Sequence, residues 1–203
     1  MIRPPERLPE RDAAIEAMLP NVPFDGWTIK ALRSGLAAAG LPEDEAAILF
    51  PGGAVDMIAV FCDLADRRMT EAAAAMTESS LNARVRAVIA LRLAMNRPHR
   101  EAIRRAVSVL AFPGHTRAAA AITARTVDAI WHAAGDRSAD FSWYTKRAIL
   151  TAVYGATLLF WLHDTSDADA DTLEFLARRL QGIGRLRRAR SRADALLGRL
   201  RPA

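Results

Sequence analysis

Between Ala148 and Leu162, fifteen consecutive residues carry no charge, and the two large aromatics Trp143 and Tyr144 stand just ahead of them. As an α-helix this run rises about 22 Å, short of the roughly 20 residues that a bilayer core requires. It reads as a buried helix and not as a membrane span. A helix apolar on every side needs cover on every side, so it must lie at the centre of a bundle, line a cavity or pack on a second subunit. The rest of the chain favours helix too, since Ala and Leu dominate its apolar residues and β-branched residues are few. We expect an all-α fold, and one main domain within 203 residues.

Helical spacing broken by short interruptions predicts about nine helices. The first lies near Glu10 to Leu19 and ends at Pro20, after which a loop through Pro23 and Gly26 leads to Thr28 as an N-cap. Ile29 to about Ala39 follows, closed by Gly40, and Pro42-Glu43 opens a short helix to Phe50 before Pro51-Gly52-Gly53 breaks the chain. Longer helices are expected at Ala54 to about Ala75, Leu81 to Met95, Arg100 to Phe112 and Thr116 to Ala134. The uncharged run is the eighth helix, and Ala168 to Leu180 the ninth, with Asp167 as its N-cap. The first three resemble a helix-turn-helix unit, and with a larger helical body behind them they resemble the TetR repressor fold. The expected division is 1–53 for the helix-turn-helix-like part, 54–182 for the body and 183–203 for a separate tail.

Charge opposes DNA binding by that unit. Residues 1–80 hold 7 basic and 13 acidic side chains, whereas residues 81–203 hold 21 and 10. The would-be reading helix begins Glu43-Asp44-Glu45 and has no Lys or Arg through Phe50, although phosphate neutralisation supplies most non-specific affinity for DNA. We expect the shape without DNA as a partner.

The tail is basic and amphipathic. Ile183, Leu186, Ala189, Ala193, Leu196 and Leu200 recur at helical steps, and seven arginines surround them with Asp194 the sole acid. Leu186, Arg187, Arg188, Arg190, Leu196, Leu197 and Leu200 are the candidate membrane-surface residues, several arginines each adding about 1 kcal/mol near an anionic leaflet. A solvated tail and a helix docked on its own body are the other readings. The N-terminal segment has neither the apolar core of a secretory signal nor the acid-poor composition of a mitochondrial presequence, so a cytosolic location is expected.

No catalytic constellation assembles. The four histidines, His99, His115, His132 and His163, are scattered one to an element, and no Gly-rich phosphate loop, nucleophile elbow or Glu-x-x-His is present. Asp128 and His132 stand four apart and suit a local salt bridge better than a metal. His163 and Asp164 suit a helix end, and Cys62, between Phe61 and Leu64, suits a buried thiol. No cofactor or metal is expected, and the chain does not read as an enzyme.

Four segments together resemble one family: the acidic pseudo-reading helix with FPGGAVDMI, Arg97-Pro98-His99, AGDRSADFSWYTKRA at Ala134 to Ala148, and HDTSDADADTLEFLARRL. They resemble the Coq-nine family, accessory proteins of ubiquinone (coenzyme Q) biosynthesis with a TetR-like fold. The resemblance runs over about residues 10–182, and DFSWYTKRA is its most specific block. It implies a homodimeric lipid-binding protein that holds isoprenoid lipid or phospholipid in an apolar cavity. It further implies that the protein reaches the membrane through its last helix and presents isoprenoid quinone intermediates to a demethoxyubiquinone hydroxylase. The positions matching the family's partner-binding patch are Asp140, Trp143 and Tyr144, with Lys146 and Arg147 adjoining. Packing in the core, or anchoring at lipid headgroups, are the plainer roles for the two aromatics. The N-terminus points to a bacterial member on the inner face of the inner membrane. Candidate cavity residues, apolar at helical spacing, are Phe61, Leu64, Met69, Val88, Leu91, Met95, Leu110, Ile130, Val153, Leu158 and Phe160. A TetR-type ligand-responsive regulator and a lipid-free scaffold are the rival functions.

Overall fold

The computed structural model describes residues 4–78, 80–136 and 142–181, apart from the side chains of residues 142 and 143. Every regular element among the described residues is helical. The chain forms two compact units, Met1–Thr151 and Ala152–Ala203.

The first unit contains α1 (Pro9–Met18), α2 (Val22–Asp25), α3 (Ile29–Ala38), α4 (Ala46–Leu49), α5 (Gly53–Ala73), α6 (Leu81–Met95), α7 (Arg100–Leu110) and α8 (Thr116–Ala133). It ends part-way along α9 (Ser142–Trp161). The local signals act where the sequence places them. The Thr28 hydroxyl accepts the Ala31 N–H at 3.1 Å, and Ser80 accepts that of Ala83 at 3.2 Å, so both helices start on a side-chain cap. Gly40, at φ +69°, ends α3 in a left-handed turn, with Leu41 N–H on the Leu36 carbonyl at 2.8 Å.

Several boundaries differ from expectation, that of α9 most, since the helix begins at Ser142 and not at Ala148 where the uncharged run starts. The segment read as a loop through Pro23 forms a single helical turn, α2, because a proline near a helix start already has the helical φ. The reading helix shrinks to a 3₁₀ turn, Glu43–Glu45, plus the one turn of α4, and stops at buried Phe50 before Pro51. α7 stops at Leu110 and not Phe112, since Pro113 drives Phe112 to an extended conformation at ψ 137°.

One apolar core joins the small N-terminal helices to α5 and α7, through Ile15, Met18, Leu32, Leu36, Met57, Ile58 and Ala102 among others. α1 and α3 cross so closely at Gly35 that a Cβ there would stand 2.5 Å from the Ala17 carbonyl oxygen. Trp27 lies against Phe61, ring centroids 5.5 Å apart, and donates its indole N–H to the Ala102 carbonyl at 2.9 Å. Arg11, buried, reaches Asp56 at 2.5 Å and covers the Phe50 ring at 4.8 Å. Between α5, α6 and α8 a second polar contact is sealed in: Arg92 lies 2.6 Å from Asp66, which also accepts from Thr126 at 2.9 Å. Burial pushes the Asp66 carboxyl above its usual range, against the pull of Arg92 and Thr126. Cys62 keeps some exposure as a residue, yet burial pushes its thiol up to about 12.

The second unit holds the remainder of α9 and α10 (residues 170–181). Phe160 stacks on Phe175 at 4.7 Å, and Arg179 covers the Phe175 ring at 4.9 Å. Asp164, not Asp167, organises the start of α10. Its carboxylate, 6% exposed, accepts Ser166 N–H at 2.8 Å and Thr172 N–H at 2.9 Å, together with both hydroxyls. Asp167 is exposed and makes no side-chain cap, while Ser166 accepts the Asp171 N–H at 3.0 Å. His163 meets the Leu159 carbonyl at 3.0 Å, the helix-end role expected of it.

Among the described residues, α9 is not buried on every side. Leu150, Val153, Tyr154, Thr157, Trp161 and Leu162 are buried, but Leu159 is 52% and Phe160 38% exposed. With exposed Ala152, and with open space at the Gly155 Cβ position, they form an apolar stripe at helical spacing. Leu173 of α10 is likewise exposed. Among the described residues no single helix is long and apolar enough to cross a membrane.

Candidate functional site

The corner between α8 and α9 is where the sequence placed its partner-facing residues. Gly135, at φ +77°, turns the chain out of α8, and Arg84 of α6 donates to the Ala134 carbonyl at 2.7 Å. Asp136 then folds back, its N–H on the Trp131 carbonyl at 3.0 Å. Asp140 and the side chain of Trp143 lie outside the described residues. Tyr144, in the first turn of α9, is 73% exposed.

Lys146 and Arg147 do not share that exposure. Lys146 Nζ sits 3.4 Å from an Asp136 carboxylate oxygen and 5.9 Å from the centre of the Trp131 ring. Arg147 donates from Nε and a terminal nitrogen to Asp128, at 2.8 and 2.5 Å. The expected Asp128–His132 pair is therefore replaced by Asp128–Arg147, 19 residues apart, and His132 is exposed. A guanidinium offers two parallel donors where imidazole offers one. Asp136 and Arg84 are the residues that sequence reading missed at this corner, and Asp128 was singled out but given the wrong partner. No periodic signal links residues so far apart, and only the Gly at 135 marks the turn.

Beneath the corner lies a polar cleft of about 620 Å³, with Arg7, Asp63, Arg67, Arg125, Asp128 and His132 among its lining. Arg7 and Arg67 both bond Asp63, and although burial opposes ionisation they hold its carboxyl below the usual range. A ring of opposed charges of this kind suits no lipid tail.

The candidate cavity residues are dispersed. Phe61, Leu64, Met69, Val88 and Ile130 are buried in the first unit and Val153 in the second. Leu91, Leu110 and Leu158 are half-buried, and Met95 and Phe160 reach the surface. Three of them, Phe61, Leu64 and Met95, come together with Leu19, Arg68 and His99 around a hollow of about 90 Å³. That is well below the roughly 300–1,000 Å³ of small-molecule sites. Burial, with Arg68 nearby, lowers the His99 pKa. The candidate membrane residues, Leu186 to Leu200, lie outside the described residues.

Comparison with known proteins decides what this arrangement belongs to. The COQ9 family model matches residues 116–187, which include α8, α9 and α10. The Schizosaccharomyces pombe ubiquinone biosynthesis protein coq9 is 33% identical over 168 residues, which cover 82% of this chain and 67% of that protein. The chain belongs to the COQ9 family. Human COQ9 is 33% identical over 179 residues, 82% of this chain and 55% of its own length, and Drosophila melanogaster COQ9 is 32% identical over 193 residues, 92% and 59%. The chain thus spans little more than half the length of these animal relatives. Those proteins are named as mitochondrial. A TetR transcriptional regulator from Nitrosomonas europaea superposes with a TM-score of 0.68, covering 86% of this chain and 97% of its own, at 23% identity. That likeness establishes a TetR-like fold for this COQ9-family chain.

Proposed function

We propose that this COQ9-family chain is a non-catalytic accessory protein of ubiquinone biosynthesis. It binds an isoprenoid lipid and presents the hydrophobic substrate to a demethoxyubiquinone hydroxylase at a membrane surface. Tyr144 carries the reading: a tyrosine 73% exposed, within the block most like the family, is the kind of rigid amphipathic side chain that dominates protein interfaces. The apolar stripe at Leu159 and Phe160 supports a homodimer seam on α9 and α10 in preference to an internal cavity wall. The lipid half of the reading rests on the family resemblance, since the hollow at Phe61, Leu64 and Met95, about 90 Å³, is smaller than such a ligand needs. DNA recognition gains no support from the exposed carboxylates of Glu43, Asp44 and Glu45 at the shortened reading turn.

Capture of the hydroxylase by Tyr144→Ala, and by Trp143→Ala, tests the first half of the proposal. Each is expected to weaken capture by about 2 kcal/mol, roughly thirtyfold, with an unchanged melting temperature. A lowered melting temperature with full capture places the aromatic in the core instead. For the second half, native mass spectrometry of the purified protein is expected to show a bound isoprenoid or phospholipid. Flotation with anionic liposomes is expected for the full chain and lost in a chain ending at Gly182. A lipid-free protein that ignores liposomes leaves only the scaffold role.

A further inference from the structure

Tyr144, Lys146 and Arg147 are near neighbours in sequence, but a helix turns about 100° per residue and separates them. Lys146 points about 160° away from Tyr144, and Arg147 about 60° to one side. Both cations close on the end of α8, Lys146 on Asp136 and on the Trp131 face, Arg147 on Asp128. The two pairs are not equal. In Lys146–Asp136 the side chains are 24% and 7% exposed, whereas Asp128 is 58% exposed in its pair with Arg147. A sheltered pair is screened less by water and salt, so removing one carboxylate there loosens its cation more than at an exposed pair.

We infer that Asp136, seconded by Asp128, is a positioning residue that sets the rotation of α9 about its own axis and so turns Tyr144 outward. On this geometry Lys146 faces inward, Arg147 lies along the flank, and both are held at the corner by their carboxylates and are not contacts for the partner. Asp136 is itself held, because its N–H bonds the Trp131 carbonyl and the preceding Gly135 turn is backed by Arg84. The inference rests on the reading of Tyr144 as partner-facing, and the test separates the two.

Cys62 is the single cysteine of the chain. In a Cys62→Ala background, Tyr144→Cys therefore carries one nitroxide spin label, whose mobility is read by electron paramagnetic resonance without any partner present. Asp136→Asn and Asp128→Asn are expected to increase the label's mobility, Asp136→Asn the more. The swapped pair Asp128→Arg with Arg147→Asp is expected to return it towards the parent value. Spectra unchanged in both single variants overturn the inference. With Tyr144 restored, Asp136→Asn is expected to reduce capture of the hydroxylase at least about tenfold, and Asp136→Glu to recover most of it. If Tyr144→Ala abolishes capture while Asp136→Asn leaves it intact or strengthens it, Lys146 meets the partner directly and the inference fails. If Tyr144→Ala leaves capture unchanged, the partner reading falls, and the spin label still decides what Asp136 does.

Discussion

A single buried carboxylate organises the start of the last described helix. Burial opposes ionisation of Asp164, but hydrogen bonds from Ser166 and Thr172 outweigh it and hold its pKa well below the usual carboxylate range. Such a group stabilises the fold above its ordinary pKa of about 4, and the contribution disappears as pH falls through the lower folded value. Asp164→Asn keeps only one acceptor where two N–H groups converge. It is expected to lose roughly 2 kcal/mol at neutral pH. The gap between wild type and variant is expected to hold from pH 7 to about pH 5 and to narrow below about pH 4, as followed by thermal melts. A gap constant down to pH 2 rules out the charged form as the cause. The sequence showed that SDADADT begins a helix but pointed to Asp167. A local capping rule sees the nearest carboxylate, whereas the acting one is fixed by the left-handed turn at Ala168 and Asp169, at φ +50° and +61°.

Among the elements, α9 behaves least as its composition suggests. Fifteen uncharged residues imply cover all round, and among the described residues only one side of the helix is buried. Periodicity cannot distinguish burial in the chain's own core from burial against something else, because both are written with the same apolar residues. The exposed side is the part open to experiment. Leu159→Glu and Phe160→Glu place carboxylates on the stripe, and each is expected to weaken self-association at least about tenfold. Sedimentation velocity reads the result, and identical dimer fractions in wild type and double variant remove the stripe from the interface. Other elements were legible nearly to the residue. Capping by Thr28 and the glycine stop at Gly40 are decided within a few residues of the chain. The ion pairs of Arg147 with Asp128 and Arg92 with Asp66 are not, since each joins helices that only tertiary packing brings together.

For the whole molecule, the family and the fold were legible because they rest on ordered motifs and on helical spacing over most of the chain. The cavity lining was not, since a lipid-facing leucine and a core leucine obey the same pattern. The uneven charge was visible at once, and its three-dimensional form is an exposed acidic corner at Glu43, Asp44 and Glu45 in the first unit. Trp27 gives the first unit a further property, one of timing. Its indole N–H is fixed to the Ala102 carbonyl, and its ring lies on Phe61, so the turn that leads into α3 is tied to both α5 and α7. The central amide protons of α3, α5 and α7 are therefore expected to exchange with solvent through a common opening event, as read by native-state hydrogen exchange. The single turn of α4 will exchange far sooner. A head that resembles a separate DNA-reading module in outline is thus expected to open and close together with α5 and α7.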